Sequence, residues 1–118
     1  MHDPAPGWIC RVAETLLHAV LPESGERHMG RRHGVWTRRA PGGRKLLETT
    51  WALDRRHGPT TRYYLSGRKH YSGEWREGKQ SGEWFYFHRD GTLDTRRTGH
   101  YSDGLRFSGI KGFNDWNT

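Results

Sequence analysis

Three histidines stand among arginines in the second half of the chain, where they could serve as acid-base groups. They are His70, His88 and His100. A pair of histidines beside a cationic side chain is the minimum equipment of a ribonuclease that works without a metal, because one imidazole accepts a proton while the other donates one. The pattern therefore allows one enzymatic hypothesis, a basic ribonuclease toxin.

Little else in the sequence is suited to catalysis or metal binding. The chain contains no HExxH and no CxxC motif, and no histidine or carboxylate pair stands at metal-ligand spacing. Its single cysteine, Cys10, cannot form an internal disulfide and is expected to be a small core residue. No serine has the setting of a known nucleophile. We therefore expect no catalytic residues, no cofactor and no metal, and a protein that is not an enzyme.

Glycines and aromatic residues recur every 24 residues from His33 onward. Four columns share this step: Gly34, Gly58 and Gly82; Gly43, Gly67 and Gly91; Trp51 and Trp75; Asp54 and Gly78. Self-similarity at a fixed period indicates a repeat architecture. The sequence predicts three tandem units followed by a degenerate closing piece. His33 and His57 occupy equivalent positions beside glycine, so we expect them to be structural.

Each unit has the pattern of a β-hairpin. In the third unit, alternating residues over 83–88 lead into the turn dipeptide Asp90-Gly91, and a second run follows. Asp-Gly and Ser-Gly dipeptides, such as Ser66-Gly67, supply the positive φ angles of hairpin turns, and aromatic residues suit half-buried strands. The expected fold is mainly β, a single-layer twisted antiparallel sheet of tandem hairpins.

The first 30 residues follow a helical period instead. Apolar residues recur at i, i+3 and i+4 between Trp8 and Leu21, and Pro22 ends the pattern. We expect one amphipathic helix and a linker over residues 1–30 and the repeat array over residues 31–118, together forming a single domain. The helix either caps an open part of the sheet or docks a partner.

The chain is basic, and its charge is unevenly placed. The net charge is +7 at pH 7, and residues 1–30 carry −2, so the array carries +9. Sixteen of the 20 basic residues are arginine, whose guanidinium pairs with carboxylate or phosphate and stacks on aromatic rings. No segment has the length and apolarity of a membrane span, and the N terminus lacks a signal-peptide pattern. We expect a cytoplasmic protein.

The glycine and aromatic spacing resembles a known repeat family. The segments that carry the resemblance are 81–91 (SGEWFYFHRDG) and 101–104 (YSDG), within residues 33–109. They are similar to the bacterial variant of the membrane occupation and recognition nexus (MORN) repeats, which occurs in YwqK-type antitoxins. An earlier unit departs from this pattern, with Thr60 in place of an aromatic residue and Pro59 after the opening glycine. The resemblance implies consecutive hairpins used as a binding surface, without a shared catalytic constellation.

Two non-enzymatic hypotheses follow for this aromatic and arginine-rich sheet. The first is a bacterial antitoxin or immunity-type factor that occludes a protein partner with an acidic surface, such as a toxin. The residues expected to contact this partner are Arg62, Trp75, Arg76, Trp84, Tyr86, Arg89 and Tyr101. The second is direct binding of a polyanion, either RNA or anionic membrane lipid. An open sheet edge could also support a homo-oligomer.

Overall fold

The computed structural model describes residues 21–108 together with Leu16 and His18. The described chain forms these β-strands: β1 (Glu23–Ser24), β2 (Arg27–His28), β3 (Arg31–Arg32), β4 (Gly34–Arg39), β5 (Lys45–Ala52), β6 (Arg55–Tyr63), β7 (Lys69–Arg76), β8 (Lys79–Tyr86), β9 (Gly99–Ser102) and β10 (Leu105–Ser108). Cys10 and, apart from Leu16 and His18, residues 1–20 of the predicted N-terminal helix segment lie outside the described residues.

The strands form an antiparallel meander. Eight of them make one sheet in the order β1-β4-β5-β6-β7-β8-β9-β10, while β2 and β3 pair with each other as a small hairpin. From β5 onward each strand pairs with the one before it in the chain, whereas β4 pairs with β1 and β5. The predicted mainly β fold of antiparallel hairpins is confirmed.

Tight two-residue turns recur through the sheet with both residues at positive φ. They are Met29-Gly30, Leu53-Asp54, Glu77-Gly78 and Asp103-Gly104. Two consecutive positive φ angles are typical of the type I′ turn, whose twist suits a hairpin. The first three turns follow the 24-residue period, and the fourth comes two residues late. The structure therefore continues the repeat into a fourth hairpin.

Longer turns join these hairpins at the same period. In each one, a backbone N–H donates a 2.8 Å hydrogen bond to the carbonyl four residues later; the donors are Ala40, Tyr64 and His88. The glycines predicted to turn the chain, Gly67 and Gly91, have φ angles of 98° and 93°. Their role as turn residues is confirmed.

The two extra residues of the third unit fall in a turn before β9. Asp94 organises this turn, because its Oδ1 accepts hydrogen bonds from the backbone N–H groups of Arg96 at 3.0 Å and Arg97 at 3.3 Å. Side-chain bonds of this kind stabilise a turn locally. The insertion therefore leaves the next strand pair intact, with Trp84 opposite Gly99.

Two tryptophans of the core lie directly on glycines of the neighbouring strand. A Cβ added to Gly73 would lie 2.2 Å from the indole of Trp84, and one added to Gly25 would lie 2.6 Å from that of Trp36. Each indole N–H donates to the carbonyl of the residue after the glycine, at 3.0 and 2.9 Å. The other buried side chains of the sheet are Leu46, Thr49, Thr60, Tyr64 and Thr98.

Strand structure begins before residue 31, the predicted start of the array. Together β1 and β2 occupy the positions that β5 occupies one period later, and β3 and β4 correspond in the same way to β6. The sequence holds a signal for this early start, since Ser24-Gly25-Glu26 recurs two periods later as Ser72-Gly73-Glu74. A partly interrupted hairpin thus precedes the first predicted unit.

Candidate functional site

Strand register places most of the predicted binding residues on one side of the sheet. In antiparallel pairs, opposed residues point to the same side, as do residues two apart along a strand. Arg62 opposes Tyr71, Tyr71 opposes Tyr86, and Gly82 opposes Tyr101. We call this side the aromatic face. Its members include Trp36, Trp51, Arg62, Tyr71, Trp75, Trp84, Tyr86 and Tyr101.

Trp84 forms the buried centre of the aromatic face. It is 1% exposed, and the ring centroids of Trp75, Tyr71 and Tyr101 lie 5.0, 5.7 and 6.2 Å from its own. Ring contacts of this kind stabilise by about 0.5–1.5 kcal/mol each beyond burial. The predicted direct contact of Trp84 with a partner does not fit this burial. Trp84 instead holds in place the rings that are open to contact.

Arginines lie over tryptophans of the aromatic face at the repeat spacing. The Arg32 guanidinium is 4.7 Å from the ring centroid of Trp51, and that of Arg56 is 3.8 Å from the ring centroid of Trp75. Stacking fixes the plane of a guanidinium and leaves N–H groups at its edge. Neither side chain donates a hydrogen bond within the described part of the chain. Both are therefore positioned for an anion with little further ordering.

Arg32, Arg56 and Trp51 are not among the binding residues predicted from the sequence. The signal for them is the period itself, since Arg32 and Arg56 stand one period apart, as do Trp51 and Trp75. Only the structure shows that Arg32 lies over Trp51 and Arg56 over Trp75.

Two of the predicted arginines lie away from the aromatic face. Side chains alternate along a strand, so Arg76 points to the opposite side from Trp75, and it is exposed there. Arg89 lies in the turn after β8, with its guanidinium 4.8 Å from the ring of Tyr64. Of the three predicted arginines, Arg62 alone shares the face with the predicted rings.

Two tyrosines of the face have raised pKa values. Burial raises the pKa of the Tyr86 hydroxyl above its usual 10.0 and does the same for Tyr101. The Tyr86 hydroxyl accepts a hydrogen bond from Gln80 Nε2 at 2.8 Å, while the Tyr101 hydroxyl donates one to the Arg97 carbonyl at 2.5 Å. Both phenols are neutral at physiological pH, so they do not offset the positive charge of the arginines.

A cleft of about 480 Å³ opens in the aromatic face. Its lining includes Trp51, Tyr71 and Trp75 together with the two ring-held arginines, Arg32 and Arg56. Apolar walls with a few convergent polar groups are typical of binding sites. The cleft is therefore the most concentrated set of binding groups on the aromatic face.

The three histidines considered for acid-base chemistry lie in two different places. His70 and His88 border a cleft together with Arg89. His100 lies on β9, with its Nε2 3.8 Å from a carboxylate oxygen of Glu83. Within residues 21–108, no group of three His, Cys, Asp or Glu side chains could hold a metal ion. The geometry therefore brings His70, but not His100, beside His88.

Comparison with known proteins identifies no relative: neither a protein-family model nor a curated protein sequence matches this chain. Within the part of the chain that the structure describes, no helix is long and apolar enough to cross a membrane. The case for a function therefore depends on the geometry of the aromatic face.

Proposed function

We propose that this chain is a non-enzymatic binding protein that recognises an acidic protein partner through its aromatic face. The observation that carries the proposal is the ring-held arginine pair, Arg32 on Trp51 and Arg56 on Trp75. A guanidinium with a fixed plane and open N–H groups is a receptor for a carboxylate, which it can bind through two parallel hydrogen bonds. The resemblance to MORN repeats supports the same use of a hairpin sheet.

The biological role that fits best is that of a cytoplasmic antitoxin or immunity factor, which inactivates its partner by covering it. Occlusion requires a broad and rigid surface. The ring cluster around Trp84 supplies rigidity, and the half-buried rings of Tyr71 and Trp75 supply apolar contact area. Rigid groups lose little conformational entropy on binding, so more of the contact energy remains as affinity.

Charge determines which partners this face accepts. With a net charge of +7 the chain attracts acidic surfaces and repels basic ones. Inhibitors that imitate nucleic acid are acidic, whereas this array is basic. The partner we propose is therefore a toxin with an acidic surface, and not a nuclease whose active site is lined by cations.

Polyanion binding is the second candidate, and the position of the arginines counts against base stacking. Nucleobases bind single-strand proteins by stacking on open aromatic rings. Here Arg56 lies over Trp75, and Arg97 lies 5.7 Å from the ring centroid of Tyr86. A base would have to displace an arginine to reach either ring on that side. A carboxylate of a protein partner, by contrast, binds to the arginine and does not have to displace it.

Affinity capture from nuclease-treated lysate of the source cells tests the proposal. We expect one acidic protein in stoichiometric amount, which arrests growth when it is expressed alone and does so no longer when this chain is co-expressed. If a ligand is captured from untreated lysate and is lost after nuclease treatment, that ligand is RNA. Recovery of anionic vesicles without any stoichiometric protein would overturn the proposal in favour of lipid.

A further inference from the structure

The cleft in the aromatic face lies beside the unit of the array that lacks its tryptophan. In the flanking units Trp36 lies on Gly25 and Trp84 lies on Gly73. The equivalent positions between them hold Thr60 and Thr49, which are buried and have hydroxyl oxygens 3.2 Å apart. Neither threonine carries a ring, so the row of rings is interrupted here.

Two arginines of the cleft, Arg32 and Arg56, make no side-chain hydrogen bond within the described part of the chain, whereas a third, Arg55, pairs with Glu77 at 3.6 Å. Each carboxylate of the lining has a polar partner at one oxygen at least. Glu23 pairs with Arg38 at 3.1 Å, and Asp54 Oδ1 accepts a hydrogen bond from the Arg32 backbone N–H at 2.8 Å. The guanidinium groups of Arg32 and Arg56 lie over rings. An anion is therefore the complementary group for this cleft.

Two residues of the lining each carry a buried polar atom that has no hydrogen-bond partner among residues 21–108. These atoms are the donor Trp51 Nε1 and the acceptor Glu23 Oε1. The indole N–H groups of Trp36 and Trp84, by contrast, each have a carbonyl acceptor. Buried polar groups are normally paired, so the unpaired indole N–H of Trp51 sets this unit apart from its neighbours.

We propose that the cleft receives a loop of the acidic partner, with an apolar side chain against Trp51 and Trp75 and a neighbouring glutamate or aspartate on Arg32 and Arg56. The assignment rests on the proposed function, because the occupant belongs to the proposed partner. A carboxylate matches the guanidinium fork. The volume of about 480 Å³ lies within the range of roughly 300–1,000 Å³ typical of sites that enclose a small ligand.

The probe for this site is the peptide acetyl-Glu-Phe-Glu-amide, titrated into isotope-labelled protein while the indole N–H signals are followed by NMR. Trp51→Phe and Trp75→Phe variants assign the two signals. We expect both to shift saturably with this peptide and to remain in place with acetyl-Gln-Phe-Gln-amide. Equal shifts with the two peptides, or no shift of either signal, would overturn the assignment.

Matched double variants separate the site from general charge. R32Q/R56Q and R76Q/R96Q each remove two positive charges, but only the first pair comes from the cleft. We expect peptide binding to weaken roughly tenfold or more in R32Q/R56Q, because two charge-assisted contacts are lost, and to persist in R76Q/R96Q. Equal weakening of peptide binding in both variants would show that net charge alone causes the effect, and it would contradict a site in the cleft.

A cleft-filling variant tests the same site with every arginine in place. T49G/T60W gives the middle unit the glycine and tryptophan of its neighbours, so the new indole closes the cleft. We expect it to abolish the shifts of Trp51 and Trp75 that the peptide causes. Retention of these shifts in a folded T49G/T60W protein would show that the peptide binds elsewhere.

The captured partner distinguishes failure at the cleft from failure of the proposed function. If R32Q/R56Q bait retains the partner as well as R76Q/R96Q bait does, protein binding stands and the cleft assignment fails. If no protein is captured although the peptide binds with the expected charge dependence, the cleft stands and the proposed function fails. A pentauridylate strand that shifts the same signals more strongly than the peptide would reassign the cleft to RNA.

Discussion

Glycine decides where a tryptophan can lie in this sheet, and Gly73 shows it most clearly. Its φ is not positive, so an added methyl group meets no backbone strain, but that group would lie 2.2 Å from the Trp84 ring. We expect Gly73→Ala to lower the free energy of unfolding by about 1–3 kcal/mol, measured by urea denaturation. The control is Ser72→Ala on the other side of the same strand, for which we expect a change within about 0.5 kcal/mol. Equal stability of the two variants would contradict the packing described.

Tyr86 makes the stability of the fold sensitive to alkaline pH. Because burial raises its pKa above 10.0, the folded chain holds the phenol proton more tightly than the unfolded chain does. The resulting stabilisation is complete below the unfolded pKa and is lost as the pH rises through the folded pKa. We expect the urea midpoint of the native sequence to fall more steeply above pH 10.0 than that of Tyr86→Phe. Parallel pH profiles would show that Tyr86 contributes nothing.

Leu53 is one of the tight-turn residues that are poorly suited to their backbone conformation. Leu53 has a φ of 48° and is 43% exposed, so its side chain gains little from burial. Asparagine tolerates the left-handed region far better than leucine. We expect Leu53→Asn to raise the free energy of unfolding by about 0.5–1 kcal/mol. Leu53→Ala also removes the leucine side chain, but alanine does not tolerate the left-handed region as asparagine does. An equal rise in the free energy of unfolding in Leu53→Ala would therefore contradict the turn explanation.

The equivalence of the hairpins can be tested at the pair that departs from the pattern. Thr60→Trp alone should destabilise, because the indole would collide with Thr49 as it would with a side chain at Gly73. Adding Thr49→Gly should relieve that collision. We expect a favourable coupling of about 0.5–3 kcal/mol in a double-mutant cycle measured by urea denaturation. Additive effects would show that the middle hairpin does not share the geometry of its neighbours.

The hairpin turns could be predicted from sequence because their chemistry is local. Gly67 and Gly91 have positive φ angles that few other residues adopt, and their spacing fixes the period. Alternation along a strand is also local, and it is enough to separate Arg76 from Trp75. The burial of Trp84 is different, because rings from three strands converge on it and no single segment of sequence contains them all.

The contact surface could not be predicted from the sequence alone, because it depends on the register between strands. Arg56 lies over Trp75 although Gly58 is the residue that opposes Trp75. Arg32 lies over Trp51 although β3 is paired with β2 and not with β5. The period of the sequence aligns these residues along the chain without showing that they meet in space. The cleft could not be predicted for the same reason. It depends on Thr49 and Thr60 lying opposite each other between two glycine-tryptophan pairs.

The fold as an assembly of hairpins places β10 at an edge of the sheet. Among residues 21–108, β10 has a strand neighbour on one side only, and it presents Leu105 at 74% and Phe107 at 66% exposure. Exposed edges with apolar side chains favour pairing with another strand. Self-association through a sheet edge therefore stays a prediction beside the use of the aromatic face, and the two surfaces are distinct.

Arginine-directed covalent footprinting of the complex with the captured partner, read by mass spectrometry, tests most directly whether the aromatic face binds. It reports each arginine separately, and the sheet offers both sides for comparison. We predict that Arg32, Arg56 and Arg62 become protected when the partner binds, while Arg39 and Arg76 stay as reactive as in the free protein. Unchanged labelling of Arg32 and Arg56, or protection centred on Arg76, would contradict recognition through the aromatic face.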